Sequence, residues 1–385
     1  MPPIPLFINN ETKHFLALNP YHIALTLIYG LGCKSIRQLL GICRKPEDLF
    51  AMSHAQLQEI FQSHHAIIAD IESRRPLMLA EQQIPLMQGY GVDTLFCTEE
   101  EYPQRLNEAG CEDTPVLLYR IGRSDLNAKH TVAMVGSRKC TDYGRTTTRR
   151  LVQEMKTDNT TIVSGLAYGI DTAAHTAALD NGLPTVAVMG HGLDIVYPYQ
   201  NRLLARKIVE QGGTLLSEYP VGTGINAAYF PARNRIVAAL SDATIVVEAA
   251  ERGGALITAN MANSYHREVF AVPGRLGDPL SEGCNNLVIH NKAVMIRNAG
   301  DLFYQMGWKN TFDRQRQKEE QLAIFSSLSS SEQAVVQLLT DNNEMTMDEI
   351  VAKSGMPLPK IASIMMDLEL KNVVRCLPGR LYKAN

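Results

Sequence analysis

The stretch Thr131-Val-Ala-Met-Val-Gly-Ser-Arg-Lys-Cys-Thr-Asp-Tyr-Gly144 decides the fold. Val132 to Val135 is a short apolar run ended by Gly136, and from Tyr143-Gly144 onward the pattern is helical. Strand, tight loop and helix in that order set the loop at the carboxyl end of a strand. There it faces a helix N-terminus whose free N–H groups and positive dipole end favour an anion. Gly136 lets the backbone approach a ligand, Ser137 adds a hydroxyl donor, and Arg138 adds a planar fork of donors suited to phosphate oxygens. An ordinary βα turn with a solvated arginine would show the same residues, so the neighbouring strand ends decide between the two.

Apolar runs recur at Val132 to Val135, Thr161 to Val163, Thr185 to Met189, Thr214 to Leu216, Thr244 to Val247, Val269 to Val272 and Ala293 to Ile296. Helix-length segments lie between most of them. Strands apolar on both faces and separated by helices predict an α/β protein with a largely parallel, doubly wound, Rossmann-like sheet. Its ligands bind at the carboxyl ends of the strands. Those ends carry small and polar residues: Ser164-Gly165-Leu-Ala-Tyr-Gly169-Ile-Asp171, then Gly190-His191-Gly192-Leu-Asp194 with Tyr197-Pro198, then Ser217-Glu-Tyr-Pro220. Tyr229-Phe230-Pro231-Ala-Arg233-Asn234-Arg235 follows, with Pro231 placed to open a helix, and then Glu248 to Ala259 with Gly253 and Gly254 at a helix start. Such loops on one sheet edge make a phosphate-binding crevice, with Arg138, Arg233 and Arg235 supplying a positive field. Phe230 beside an arginine suits base stacking or a core position. Other readings stay open: Gly165, Gly169 and Gly192 as positions of positive φ, Asp171 as a helix cap, and His175 as a core histidine. Of Arg233 and Arg235, one faces the crevice and the other pairs on the surface.

The chain of 385 residues is 45% apolar and 20% charged, enough for two or three domains with real cores. A formal charge of −3 argues against coating duplex DNA by charge alone and leaves room for a local basic groove. The 7 cysteines are scattered without a CxxC pair or a histidine at zinc-ligand spacing, which predicts reduced thiols in a cytoplasm and no structural metal. No cofactor is expected. Neither an export signal nor a run of about 18 apolar residues occurs, which predicts no membrane span.

Upstream, Tyr21 to Tyr29 and Ser35 to Leu40 read as two short helices, the second with a serine cap, around the turn Gly30-Leu31-Gly32. Such a hairpin offers N–H groups to a phosphate; a small bracing bundle fits the same residues. Thr114 to Gly122 reads as a connector ending in a strand that joins the sheet. Downstream, Lys309 to Gln321 is a polar linker, and Ser331 to Leu339, Met347 to Ser354 and Leu358 to Lys371 are three helices followed by a small hairpin turning at Leu377-Pro378-Gly379. That is a winged-helix arrangement. Its third helix carries Asp367 and Glu369 against Lys360 and Lys371, which suits protein contact better than major-groove reading. The domain reading is 1–80 small helical (SAM/helix-hairpin-helix-like), 81–307 Rossmann-like, 308–326 linker and 327–385 winged-helix-like.

The words Val135-Gly-Ser-Arg138, Ser164 to Asp171, Asp194 through Pro198, Ser217 to Pro220, Phe230-Pro-Ala-Arg-Asn-Arg235 and Gly253 to Ala259 together resemble the DNA-processing protein A (DprA, or Smf) family. They stand in the family's order over roughly residues 100 to 300. The resemblance implies a dimer that binds single-stranded DNA, protects it and helps place the RecA recombinase on it in transformation and recombination, without turnover. Carried onto this chain, it implies a site of Gly136, Ser137 and Arg138 on a DNA phosphate, with Ser164, Gly165, Phe230, Arg233, Asn234, Gly253 and Gly254 around the same groove. One departure stands out: where the family often has a lysine ahead of Phe-Pro-x-Arg-Asn, this chain has Asn226-Ala-Ala-Tyr229, which leaves Arg202 or Lys207 to supply that charge. The alternative is a nucleotide-processing enzyme that cleaves a base from a nucleoside monophosphate, since Glu248 to Thr258 resembles the Gly-Gly-x-Gly-Thr-x-x-Glu word of such enzymes. Here Ala255 replaces the third glycine and Asn260 follows Ala259, so the glutamate is missing. A dinucleotide-dependent oxidoreductase is disfavoured by the lone Gly136 and the lack of GxGxxG.

Overall fold

The first helix, α1 (Pro20–Leu27), starts at Asn19, whose side chain accepts from the Tyr21 N–H, with proline at the first helical position. The computed structural model describes residues 18–308 and 328–384, apart from 44, 109, 343, 372 and 378–380. Then come α2 (Cys33–Ile42), α3 (Pro46–Ala51), α4 (His54–Phe61), α5 (His65–Glu72) and α6 (Arg75–Tyr90). Ser35 is not a cap: α2 begins two residues earlier, directly after extended Gly32. At the turn between α1 and α2 the Tyr29 N–H donates to the Asp70 carboxylate at 2.9 Å, so an internal anion already holds that donor. α6 runs across residue 80, and Ile23, Leu25, Ile36 and Leu77 belong to the same apolar core as the sheet strands. Arg37 of α2 fastens this layer by donating to the Thr114 hydroxyl at 3.1 Å and to Asn107 at 2.6 Å.

The sheet follows, with strands β1 (Asp93–Phe96), β2 (Leu117–Gly122), β3 (Thr131–Val135), β4 (Thr161–Ser164), β5 (Thr185–Met189), β6 (Thr214–Ser217), β7 (Ala243–Val246), β8 (Glu268–Ala271) and β9 (Val294–Met295). Their order in space is β1-β2-β6-β5-β4-β3-β7-β8-β9. β3 to β9 are mutually parallel, while β2 joins β6 antiparallel and carries β1, which the sequence had not signalled, on the outer edge. Every residue of β3, β4, β5, β6 and β7 is buried, the mark of a sheet covered on both faces.

The crossover helices are α7 (Asp142–Glu154), α8 (Ile170–Asp180), α9 (Arg202–Glu210), α10 (Tyr229–Ala239), α11 (Gly254–Ser264), α12 (Glu282–Ile289) and α13 (Ala299–Gln305). From β3 the chain winds outward through β4, β5 and β6, then returns and winds the other way from β7 through β8 and β9. With right-handed crossovers the two windings put their helices on opposite faces. The reversal lies between β3 and β7, where α7 and α11 leave on opposite sides and a crevice opens. α10 starts at Tyr229, so Pro231 sits inside the first turn, where its missing N–H costs nothing. Past α13, Trp308 stacks on buried His130, ring centroids 4.0 Å apart, and so holds the end of this unit to the start of β3.

The chain divides into two compact units, Met1–Trp308 and Lys309–Asn385. Of the linker read at 308–326, Trp308 belongs to the first unit and the remainder lies outside the described residues, as does the hairpin tip at Pro378-Gly379. The second unit is a winged helix with α14 (Ser330–Asn342), α15 (Met347–Ser354) and α16 (Leu358–Leu370). Beside them stand β10 (Met345–Thr346), β11 (Val374–Leu377) and β12 (Leu381–Ala384), paired in the order β10-β12-β11. Ser329 caps α14, exchanging hydrogen bonds with Glu332, and Val335, Leu339, Ile350, Ile361 and Leu368 form the unit's own core.

Candidate nucleic-acid interface

The loop after β3 is fixed before any ligand arrives. The Ser137 N–H donates to the Glu248 carbonyl at 2.7 Å, and the Ser137 carbonyl accepts from the Ile170 N–H at 3.2 Å, so the loop is tied to the end of β7 and the start of α8. A Cβ at Gly136 would collide with Ile170, which is why glycine stands there. The Ser137 hydroxyl accepts from the Lys139 N–H at 3.1 Å and keeps its own proton to donate. Glu248, only 2% exposed, takes the Thr141 N–H at 2.9 Å and the Thr141 hydroxyl. It is thus an internal anchor holding the loop's far end.

Between the ends of β3 and β7 lies a cleft of about 270 Å³. Gly136, Ser137 and Arg138 line it from one side, Ala249, Ala250, Gly253 and Gly254 from the other, and Arg233, Asn234 and Asp171 close it. Gly253 stands at the N-cap of α11 without a side-chain cap, so the first N–H groups of that helix are open to an anion. A smaller recess adjoins it, lined by Gly165, Tyr168, Tyr197 and Phe230 and sharing Arg138 and Arg233 with the cleft. The residues singled out from the sequence therefore converge, with one exception. Ser164 is wholly buried, and its hydroxyl donates to the Met134 carbonyl at 2.7 Å; it joins β4 to β3 and does not reach the cleft.

Arg233 is 4% exposed, and its guanidinium is taken up by the Gly165 carbonyl at 2.6 Å and the Val188 carbonyl. Burial pulls its pKa down to about 10, with nearby Asp171 acting the other way. Asp171 accepts from the Gly165 N–H at 3.1 Å and the Ala167 N–H at 3.2 Å, and burial pushes its carboxyl up against the opposing pull of Arg233. It sits inside the first turn of α8 and braces the preceding loop instead of capping the helix. The buried pair clamps Gly165-Leu-Ala167 from both sides, and a Cβ at Gly165 would strike the Arg233 guanidinium. Gly165 and Gly192 are required for space, whereas Gly169, at φ +77, does need positive φ. Asn234 gives its oxygen to Arg233 at 3.3 Å, which leaves its N–H groups for a ligand. Arg235 turns away and pairs with Glu218 at 2.5 Å, the two side chains only 14% and 19% exposed, so that pair is largely internal rather than on the surface.

His175 lies beneath this clamp. The Thr185 hydroxyl donates to the Ile162 carbonyl, so the His175 Nδ1 at 2.8 Å must carry the proton and donate to Thr185, leaving Nε2 buried without a partner. Burial, helped by Arg233, pulls this imidazole from 6.5 down to about 3. A histidine held neutral in the fold gives stability that is complete above about pH 6.5. That stability drains away as pH falls toward 3, because only the unfolded chain takes up the proton. Urea unfolding should therefore lose about 1.4 kcal/mol per pH unit to this group once pH drops below its ordinary value, and the slope should flatten in His175→Gln. Equal pH slopes in both proteins would refute the buried neutral ring.

The outer rim is aromatic and cationic. The exposed Arg138 lies over Phe230, 5.6 Å from its centroid, and Phe230 meets Tyr197 at 5.6 Å. Tyr168 and Tyr197, both exposed, were not singled out from the sequence; their place beside the Gly-Ser-Arg loop emerges only when the β4 and β5 ends come together. Tyr168 bonds to Gln200, next to Tyr199, whose ring stacks under the Arg202 guanidinium at 4.2 Å. Of the two basic residues considered for the missing lysine, Arg202 stands at the first position of α9 on this side, and Lys207 lies in the last turn.

The sequence family described as DNA recombination-mediator protein A matches residues 93–307, and the DprA winged helix domain matches 321–380. A Smf protein of Synechocystis is 32% identical over 94% of this chain and 98% of its own length. The crystal structure of DNA processing protein A from Streptococcus pneumoniae superposes with a TM-score of 0.62 at 33% identity, covering 75% of this chain and 98% of that one. A structure from Helicobacter pylori, described for its single-stranded DNA binding mode, gives a TM-score of 0.50 at 32% identity over 56% of this chain and 95% of that one. With two thirds of the cleft-bearing unit inside one family match and the winged helix inside another, the chain belongs to the DNA processing protein A family of recombination mediators.

Proposed function

We propose that the cleft between β3 and β7 binds single-stranded DNA, shields it and helps load the RecA recombinase, in the cytoplasm, during DNA uptake and recombination. One observation carries the reading: an exposed arginine, Arg138, stands between an anion-ready cleft and an aromatic rim. Phosphates fit the Ser137 hydroxyl, the Arg138 fork, the Asn234 amide and the open N-terminus of α11, while bases stack at Phe230 and Tyr197. Duplex DNA hides its bases from such a rim, so the site favours single strands. The exposed edge strand β9, with Val294 and Met295 uncovered, supports a homodimer that would lay two clefts along one strand.

A turnover role is disfavoured, because Asp171 and Glu248 are both committed to backbone N–H groups of the loops. Fluorescence anisotropy with labelled oligo-dT tests the binder. If about three phosphates are neutralised, the logarithm of affinity falls with the logarithm of salt at a slope of about −2. Unlabelled duplex should compete poorly. An affinity indifferent to salt contradicts the phosphate cleft, and release of free base from a panel of nucleoside monophosphates would establish the enzyme instead.

A further inference from the structure

The third helix of the winged-helix unit, α16, turns Ile361, Ile364, Met365 and Leu368 into the domain core. Its other side is unusually apolar for an uncovered surface. Leu358, Met366 and Leu370 are 51%, 65% and 76% exposed, and Ala362 between them is exposed too. The four stand four residues apart, so they form one continuous ridge of the kind that packs into the matching groove of another helix. Along one flank run Lys360 and Asp367, neither with an ion pair among the described residues. A ridge of leucine and methionine whose flanking lysine is matched by an aspartate suits a protein surface better than base edges or phosphates.

We propose that this ridge packs against the same ridge of a second copy of the chain, with the two α16 helices antiparallel about a two-fold axis level with Ile364. The ridge is symmetric about that residue, Leu358 and Leu370 lying equally far on either side and Ala362 and Met366 likewise. The axis sets Leu358 against Leu370 of the second copy, and small Ala362 against large Met366, so the side chains interdigitate instead of colliding. A two-fold of this kind keeps each flank on its own side, so Lys360 of either copy comes within one residue's rise, about 1.5 Å, of Asp367 of the other, giving two symmetric ion pairs. The surface is thus self-complementary in shape and charge, as an isologous contact must be.

One helix face per copy buries well under the about 1,200 Å² typical of stable interfaces, so the contact is weak on its own. It becomes populated where another attachment already holds copies at millimolar effective concentration. The inference stands apart from the cleft and needs no ligand in it. Because this unit has its own core, a fragment of residues 309–385 can be tested alone. In sedimentation equilibrium up to millimolar concentration the fragment should dimerise reversibly. Met366→Lys should weaken the dimer about ten-fold or more with an unchanged thermal melt. Lys360→Glu should weaken it, and adding Asp367→Lys should restore it. A fragment that stays monomeric throughout, a dimer indifferent to Met366→Lys, or a charge swap that fails to restore association overturns the proposal.

Discussion

On the proposed function, Arg138→Ala should lose single-strand binding while the protein stays as stable as wild type. The side chain is exposed, has no ion pair among the described residues, and lies over the Phe230 ring, 5.6 Å from its centroid. A surface change of that kind shifts stability by roughly 0.5 kcal/mol. On the binding side, two charge-assisted hydrogen bonds to a phosphate contribute roughly 1.5–3 kcal/mol each, so their loss weakens affinity by at least about a hundred-fold. Arg138→Lys keeps the charge but not the fork, and should fall between the two. Anisotropy titrations beside thermal melts decide the matter. An Arg138→Ala protein that binds within about two-fold of wild type would place the strand elsewhere on the molecule.

Arg233→Leu should do the reverse, damaging the fold first. Its removal strips donors from the Gly165 and Val188 carbonyls and leaves Asp171 as a buried carboxylate without its counter-charge. Breaking a buried charged arrangement from one side costs roughly 3–5 kcal/mol, which for a unit of this size lowers the melting temperature by about 6–15 °C. Adding Asp171→Asn should recover part of the loss, since the two act on one loop and their costs do not add. Calorimetry of the single and double variants tests this. A melting temperature unmoved by Arg233→Leu would make Arg233 a ligand-binding residue and not a brace.

The two arginines also show where the sequence was legible and where it was not. β3 through β8 could be placed because residues buried on both faces leave uninterrupted apolar runs, and the words after each strand followed from that. Nothing in those words separates a polar group aimed at solvent from one aimed back at the chain. Ser164 and Asp171 carry the composition of a binding loop, yet each satisfies backbone groups inside the fold. Arg233 and Arg235 differ by two positions on α10, and only the rotation of that helix against β5 and β6 decides that one braces the cleft and the other pairs with Glu218. β1 did not announce itself because it is an outer strand that pairs only with β2, whereas β9 lies within the run Ala293 to Ile296 that the sequence offered. Ser35 failed as a cap because Gly32 already supplied the extended residue that starts α2.

The reversal of winding between β3 and β7 has one more consequence. The walls of the cleft come from segments more than a hundred residues apart along the chain, meeting only when the central strands are in register. No partly folded form of the protein owns the site. Anything that fills it is therefore held by the complete sheet alone and adds its own free energy to the barrier against unravelling, by RT ln(1 + [L]/Kd). Idle molecules would be the ones proteases find open, and engaged molecules would persist, so the lifetime of the protein would follow its employment.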